Sequence, residues 1–276
     1  MRLCLIAALV IGAGIPSGAS ADPKTRNEYR AALEQLRSGQ LSRFKRSQAQ
    51  LKDYVLAPYL EYHRLRTRIS AVNNRNVIRF IETHPELPAT PILHRRWLRQ
   101  LGSTRQWQTF LDNYPADAFG PQASASLDCY YLRSLYGTNK RAQALAQTGA
   151  RWSVGQSQPK ACDPLFEVWR QSEHFDQDIV WLRLGRALAA NEVTLARYLL
   201  RYFTGANKRA ADAYYQVHVS PSRLRRAANY RIDTERGREA IVHGFDIIRH
   251  ENHFVSHVSL SELLESRYTI AKIIIK

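Results

Sequence analysis

The sequence predicts an all-α fold, a solenoid of short helical hairpins, and three observations lead to this prediction. Apolar residues recur at helical spacing along nearly the whole chain. The helices come in pairs that are joined by turns of a few residues. Strand signals are almost absent, since no Asn-Gly turn separates alternating apolar runs. Repeated helical pairs are typical of an α-solenoid, with a compact helical bundle as the alternative.

The first two hairpins are defined by their apolar stripes and turns. One is formed by SRFKRSQAQL and APYLEYHRLRTRI, around Pro58. The next is formed by LHRRWLRQL and WQTFLDNY, each of which carries one apolar stripe. We expect Gly102 to end the first helix of this pair and Ser103 or Thr104 to cap the second. Pro115 then ends the second helix.

The later helices follow the same rules. In DPLFEVW, Asp163 is the predicted N-cap and Pro164 occupies the first helical position. The buried side of this helix is predicted to consist of Leu165, Phe166, Val168 and Trp169. The segments DIVWLRLGRALAA and EVTLARYLLRYF form a further hairpin with Asn191 at its turn. The inward side of its second helix is predicted to consist of Leu195, Ala196, Leu199 and Leu200.

The N-terminus has the pattern of a secretory signal peptide. Arg2 precedes an apolar run, a proline break and the small-residue stretch Ala19-Ser20-Ala21, which predicts cleavage after Ala21. Cys4 would be removed with the peptide, and no cysteine stands at the cleavage point to carry a lipid. No later stretch approaches the roughly 20 apolar residues that a membrane span needs. We therefore expect an exported chain without a membrane span.

Two cysteines, Cys129 and Cys162, remain after the predicted cleavage. In an oxidising compartment such a pair is most simply a disulfide. Closing a loop of this length would stabilise the fold by roughly 3–4 kcal/mol. A catalytic thiolate is the alternative, but it needs an activating partner, and nothing aligns the nearest histidine, His174. Two cysteines cannot complete a Cys4 zinc site, so no metal is expected there.

The chain is strongly basic, but the basic residues are scattered along helical faces, so solvated surface explains many of them and the charge alone does not identify a partner. The formal net charge is +16, and all but one of these charges lie beyond the predicted signal peptide. For an exported chain an anionic partner would be a cell-wall polymer or a membrane surface rather than nucleic acid. The basic stretch at residues 222–231 could suit a nucleic-acid binder, but the signal peptide and the lack of a recognised motif argue against one.

Four histidines crowd near the C-terminus, which raises the question of a metal site. They are His243, His250, His253 and His257, and the last two have the i, i+4 spacing of a helical pair. Such a site needs a third ligand, for which Glu251 is the candidate, and a rigid frame. We expect no metal site here, because the tail looks unstructured in the sequence and chance is then the better explanation of the spacing.

Five segments in order resemble one protein family. The most specific is the pattern W-x2-G-x-S-x-P-x2-C-D-x-L-F from Trp152 to Phe166, and the next is Pro-Tyr-Leu-Glu-Tyr at residues 58–62. Together with residues 80–114, DIVWLRLGRALAANEVTLARYLL and NYRIDTERGREAIVHG, they resemble the N-terminal superhelical domain of the soluble lytic murein transglycosylases. The resemblance covers roughly residues 30–250.

The resemblance implies an α-superhelix that forms part of a U-shaped ring, located in the periplasm. It implies peptidoglycan glycan strands as the partner and no cofactor. The family cleaves the β-1,4 bond between N-acetylmuramic acid and N-acetylglucosamine and leaves a 1,6-anhydro end. Family members also carry a disulfide that matches Cys129 and Cys162.

The family's catalytic glutamate, which is followed by serine, has one counterpart here, Glu265. We expect this residue not to be catalytic, because only ten residues follow Ser266 and cannot enclose a carboxylate of raised pKa. The expected organisation is a signal peptide at residues 1–21, an incomplete superhelical domain at 22–250 and a divergent tail at 251–276.

Two functions follow from this organisation. The chain would hold the non-catalytic superhelical domain of a truncated lytic transglycosylase, and it would be inactive alone. The alternative is a non-catalytic periplasmic scaffold that binds glycan or protein on its concave face. An exposed solenoid end near residues 225–276 would in either case favour self-association.

Overall fold

The computed structural model describes residues 22–115, 124–225 and 234–253, with side chains described up to residue 248 except at residue 225. Within these ranges every regular element is helical, which confirms the all-α prediction. The α-helices are α1 (Pro23–Arg37), α2 (Leu41–Gln50), α3 (Ala57–Thr67), α4 (Asn74–Thr83), α5 (Thr90–Ser103), α6 (Trp107–Asn113), α7 (Ala125–Gly137), α8 (Arg141–Trp152), α9 (Asp163–Trp169), α10 (Gln177–Ala189), α11 (Val193–Leu199), α12 (Gly205–Val219) and α13 (Glu235–His253). Short 3₁₀ turns cover Lys160–Cys162, Leu200–Tyr202 and Pro221–Arg225.

The chain forms two compact units, divided between Arg96 and Trp97. In the first unit, α1 and α2 form a hairpin, α3 packs on both, and α4 packs on α3. The apolar side chains between α1, α2 and α3 form its core, in which Ala32, Phe44 and Leu60 are fully buried. Each helix therefore covers the apolar face of its predecessor, as a solenoid requires.

The second unit continues the same packing between neighbouring helices. Helices α6, α7, α8 and α9 pack in succession, and α12 packs on α10, α11 and α13. Its core contains Trp152 and Trp169, whose ring centroids lie 5.4 Å apart, and extends to Trp181. No helix in the described ranges is both long and apolar enough to cross a bilayer.

Four turns between helices share one backbone conformation. Gly39, Arg105, Asn139 and Asn191 adopt positive φ values of 75°, 58°, 62° and 56°. In each case the next residue donates its backbone N–H to the carbonyl five positions back, as in Gln40 to Gln35 at 2.8 Å. This is the Schellman arrangement, which satisfies the last carbonyls of one helix while the chain turns into the next. The predicted position of Asn191 at its turn agrees with this geometry.

The predicted end of α5 at Gly102 is wrong. Helix α5 continues through Ser103, and Arg105 takes the left-handed position instead. Gly102 lies inside the helix because the Tyr130 ring packs against it: a Cβ there would lie 2.2 Å from the ring. The hydroxyls of Ser103 and Thr104 donate to the Gln100 carbonyl, so they serve the end of α5 rather than the start of α6.

Two details of α9 also differ from the prediction. Asp163 is the first helical residue rather than the N-cap, and its side chain makes no capping bond, because the 3₁₀ turn ending at Cys162 runs directly into the helix. Val168 is 37% exposed, whereas Leu165, Phe166 and Trp169 are buried. The buried side of this short helix therefore follows i, i+1, i+4 spacing.

Candidate functional site

The two cysteines singled out from the sequence lie together in the core of the second unit. The Sγ atoms of Cys129, on α7, and Cys162, in the turn before α9, are bonded, with the Cα atoms 4.9 Å apart. Both residues are fully buried in the cluster that includes Trp152 and Trp169. In this arrangement they cross-link α7 to the start of α9, and neither thiol is free for catalysis or metal binding.

The histidines form a different arrangement from the one that their sequence spacing indicates. Nδ1 of His218, on α12, lies 3.0 Å from Nε2 of His243, on α13, and its Nε2 lies 3.2 Å from Oδ1 of Asn191. Burial lowers the pKa of both rings, and His218 lowers that of His243 further, against the opposing effect of Asp246. The pair is neutral at neutral pH; it joins α13 to α12, and His218 also joins α12 to the α10–α11 turn.

No metal site is present within the described residues, where no three potential ligands come together. The side chains of His250, Glu251 and His253 and the whole of His257 lie outside the described residues. Glu265 and the predicted signal peptide at residues 1–21 lie outside them as well. The predictions for these residues therefore stay predictions.

A cleft bounded by α10, α12 and α13 combines aromatic, apolar and charged side chains. It encloses about 540 Å³. The Trp181 and Tyr214 rings lie in its wall with their centroids 5.2 Å apart, and Leu182, 45% exposed, adds an apolar edge. Gly185 lines the cleft as well, and an added Cβ there would make only ordinary contact, 3.4 Å from the Tyr214 hydroxyl oxygen.

Charged and hydrogen-bonding groups surround these rings. The Trp181 Nε1–H donates to Oε2 of Glu239 at 2.8 Å. The Arg236 guanidinium lies 5.2 Å from the Trp181 ring centroid and pairs with Asp178. Burial, and then the Glu239 carboxylate, raise the pKa of Tyr214 to about 12, so its hydroxyl remains a neutral donor and acceptor. An apolar ring surface with polar groups at its edge suits a ligand that has both apolar faces and hydroxyls.

The local sequence explains how α10 presents one side of this cleft. The residues Asp178, Trp181, Leu182, Gly185 and Ala189 all line the cleft. Their spacing of i, i+3, i+4, i+7 and i+11 places them on one helical face. The sequence pattern predicts a hairpin helix here but does not by itself indicate a site. The glycine between Leu184 and Arg186, on the same face as a tryptophan, was the available signal.

A second cleft, in the first unit, is basic. It encloses about 400 Å³ and is lined by Leu33, Leu36, Arg37, His63, Arg66, Thr67 and Arg96. Burial, followed by Arg66 and Arg37, lowers the pKa of His63, which is therefore neutral at neutral pH. Three arginines without a carboxylate in the lining attract anions, in keeping with the net charge of the chain.

Comparison with known sequences identifies relatives over most of the chain. No protein-family model matches. The soluble lytic murein transglycosylase of Escherichia coli K12 is 28% identical over 222 residues, which are 79% of this chain and 34% of that protein. The protein of the same name from Salmonella typhimurium is 27% identical over 201 residues, or 72% of this chain and 30% of that protein. The chain thus spans about a third of the length of the curated relatives it matches.

Comparison with solved structures finds proteins of the same kind. An inactive mutant of the lytic transglycosylase Slt from Pseudomonas aeruginosa matches with a TM-score of 0.69 and 30% identity, over 79% of this chain and 34% of that one. The 70-kDa soluble lytic transglycosylase of Escherichia coli matches with a TM-score of 0.70 and 23% identity, over 91% and 38% respectively, which shows the same fold. Over most of its length the chain is therefore a homologue of the soluble lytic murein transglycosylases, of which it spans about a third.

Proposed function

We propose that this chain supplies the non-catalytic helical region of a lytic transglycosylase and holds glycan strands of peptidoglycan in the periplasm. The observation that carries the proposal is the 28% identity over 222 residues to proteins named for murein cleavage. The signal-peptide pattern at residues 1–21 supports the compartment. The high positive charge supports an anionic polymer as the partner.

The cleft between α10, α12 and α13 is the proposed contact for the sugar backbone. Its two aromatic rings give flat apolar surface, and Glu239, Asp178 and Arg236 offer partners to sugar hydroxyls. The basic cleft of the first unit, with Arg37, Arg66 and Arg96 around it, is the proposed contact for carboxylates of the peptide stems. Self-association through a solenoid end stays a prediction.

A cleft-blocking substitution tests this role. Gly185→Leu places a side chain in the cleft while removing no existing contact, and a non-glycine residue favours the helix. We expect the variant to co-sediment with peptidoglycan sacculi at least about fivefold more weakly than the native chain, a loss of about 1 kcal/mol in binding. The matched control is Ala150→Leu, an exposed position on α8, outside the cleft lining.

Circular dichroism would show that both variants stay folded. Equal binding by the native chain and Gly185→Leu would remove the cleft from the proposal. Absence of binding by the native chain would refute the proposed function.

A further inference from the structure

Arg183 is a buried cation without a buried counter-charge. The residue is 5% exposed, and its guanidinium carbon lies 4.5 Å from the centroid of the Trp152 ring. Its Nη2 donates to the Gln156 carbonyl oxygen at 3.4 Å, a long contact for a charged donor. Its Nε has no acceptor among the described residues. Burial lowers the pKa of Arg183 to about 10, so the side chain remains charged at neutral pH.

The side chains around Arg183 carry a neutral hydroxyl or a positive charge. The hydroxyls of Tyr198 and Tyr202 and the guanidinium of Arg170 are its electrostatic neighbours. The two hydroxyls lie 2.7 Å apart, so one donates to the other and the second O–H is left to donate outward. The Arg201 guanidinium lies 4.1 Å from the Tyr198 ring centroid.

No side chain of this group supplies a negative charge. Burial raises the pKa of Tyr202, which rules out a tyrosinate as the counter-ion at neutral pH. Within the described residues, no carboxylate forms an ion pair with Arg170, Arg183 or Arg201. Of these side chains, Tyr198 is 39% exposed, whereas Arg183 is 5% exposed.

A bound anion would lower the free energy of the buried Arg183 guanidinium. A buried cation without a partner is unfavourable, and a charge-assisted hydrogen bond to it is correspondingly strong. The planar guanidinium fork matches a planar carboxylate, and a phenolic O–H adds a further donor to it. We propose that Arg183, with Arg170 and Tyr198 beside it, binds a carboxylate group.

The source of that carboxylate rests on the proposed function. In peptidoglycan the peptide stems carry free carboxylates, and so does a muramic acid residue from which the stem has been removed, whereas N-acetylglucosamine carries none. The group lies apart from the sugar cleft, since none of its side chains lines that cleft. It therefore recognises the charged substituent of the strand and not the sugar ring.

Trp152 provides a direct readout, because its ring lies against Arg183. The full chain is labelled with 5-fluorotryptophan, and the Trp152 ¹⁹F resonance is assigned through Trp152→Phe. We expect N-acetylmuramic acid to shift this resonance to saturation, and N-acetylglucosamine, which lacks the carboxylate, to leave it unchanged.

Arg183→Met keeps an unbranched side chain at this position and removes the charge. We expect this variant to bind N-acetylmuramic acid at least about tenfold more weakly, and Tyr198→Phe to bind it more weakly than the native chain. Arg209→Met, an exposed arginine on α12, is the matched control and should bind normally. Arg183→Met should unfold at the native urea concentration or higher, because it removes an unpaired buried charge.

Three results would overturn the proposal: no shift with N-acetylmuramic acid, an equal shift with sulfate, or a lower urea midpoint of Arg183→Met with unchanged binding. The last would assign Arg183 a purely structural role. Co-sedimentation with peptidoglycan sacculi is measured in parallel, because it separates a failure of this proposal from a failure of the proposed function. Binding to sacculi without a response to N-acetylmuramic acid refutes the Arg183 site alone, and the reverse result refutes the glycan-holding role alone.

Discussion

Removing the Cys129–Cys162 cross-link is expected to be the most costly simple change in the second unit. The bond closes a loop with a sequence separation of 33 residues. In the chain-entropy relation such a loop contributes about 3.7 kcal/mol to the free energy of unfolding. Since whole domains are stable by roughly 5–15 kcal/mol, the variant Cys129→Ala/Cys162→Ala should lose a large part of its stability.

Urea unfolding followed by tryptophan fluorescence measures this loss selectively. All five tryptophans lie in the second unit, between Trp97 and Trp181, so their emission reports on the unit that holds the disulfide. The single variant Cys129→Ala should lose the same amount as the double variant, because either change removes the bond.

Both cysteines are fully buried, so a reductant should act on the native chain only as fast as this unit opens. A double variant that unfolds within about 1 kcal/mol of the native chain would refute the assignment of the bond as a main stabiliser of this unit.

Three further changes test local features. Arg105→Gly should raise the free energy of unfolding by roughly 0.5–1 kcal/mol, because Arg105 has a φ of 58° that strains any L residue; a lower urea midpoint would contradict this. The lowered pKa values of His218 and His243 mean that the unfolded chain binds more protons. Stability should therefore be full above pH 6.5 and fall as the pH drops through the lowered native pKa values. His243→Gln should flatten this slope in urea titrations between about pH 5 and pH 7.5, and an unchanged slope would argue against the pair. Gly155→Ala should destabilise by about 1–3 kcal/mol, since its Cβ would lie 2.3 Å from the Arg186 carbonyl oxygen; an unchanged melting curve would show that the loop yields freely.

The helices and their pairing could be predicted from the sequence because both depend on local spacing. Asn191 stands at a turn because an asparagine tolerates the left-handed conformation, a local property. The role predicted for Gly102 was wrong because the local sequence is compatible with two roles. A glycine can end a helix, or it can lie inside a helix where a neighbouring side chain packs closely. The neighbour that decides between these, Tyr130, comes 28 residues later in the chain and becomes visible only when α7 packs against α5.

The sites depend on residues that are distant in sequence, and this distance hid them. Trp181, Tyr214 and Glu239 meet only because α12 and α13 fold back on α10. Arg183 could not be recognised as a buried residue from the sequence, since nothing local shows that it contacts Trp152 and Gln156. The disulfide is the exception, because two cysteines in a predicted export pathway leave few ways to pair.

Incubation of the purified chain with peptidoglycan sacculi tests the central claim most directly. The fraction of protein that sediments and the soluble muropeptides are measured in one sample, the latter by mass spectrometry. The account predicts saturable binding with no 1,6-anhydro products above the blank. Release of such products would contradict the non-catalytic role and direct attention to Glu265, and absence of binding would contradict the glycan-holding role itself.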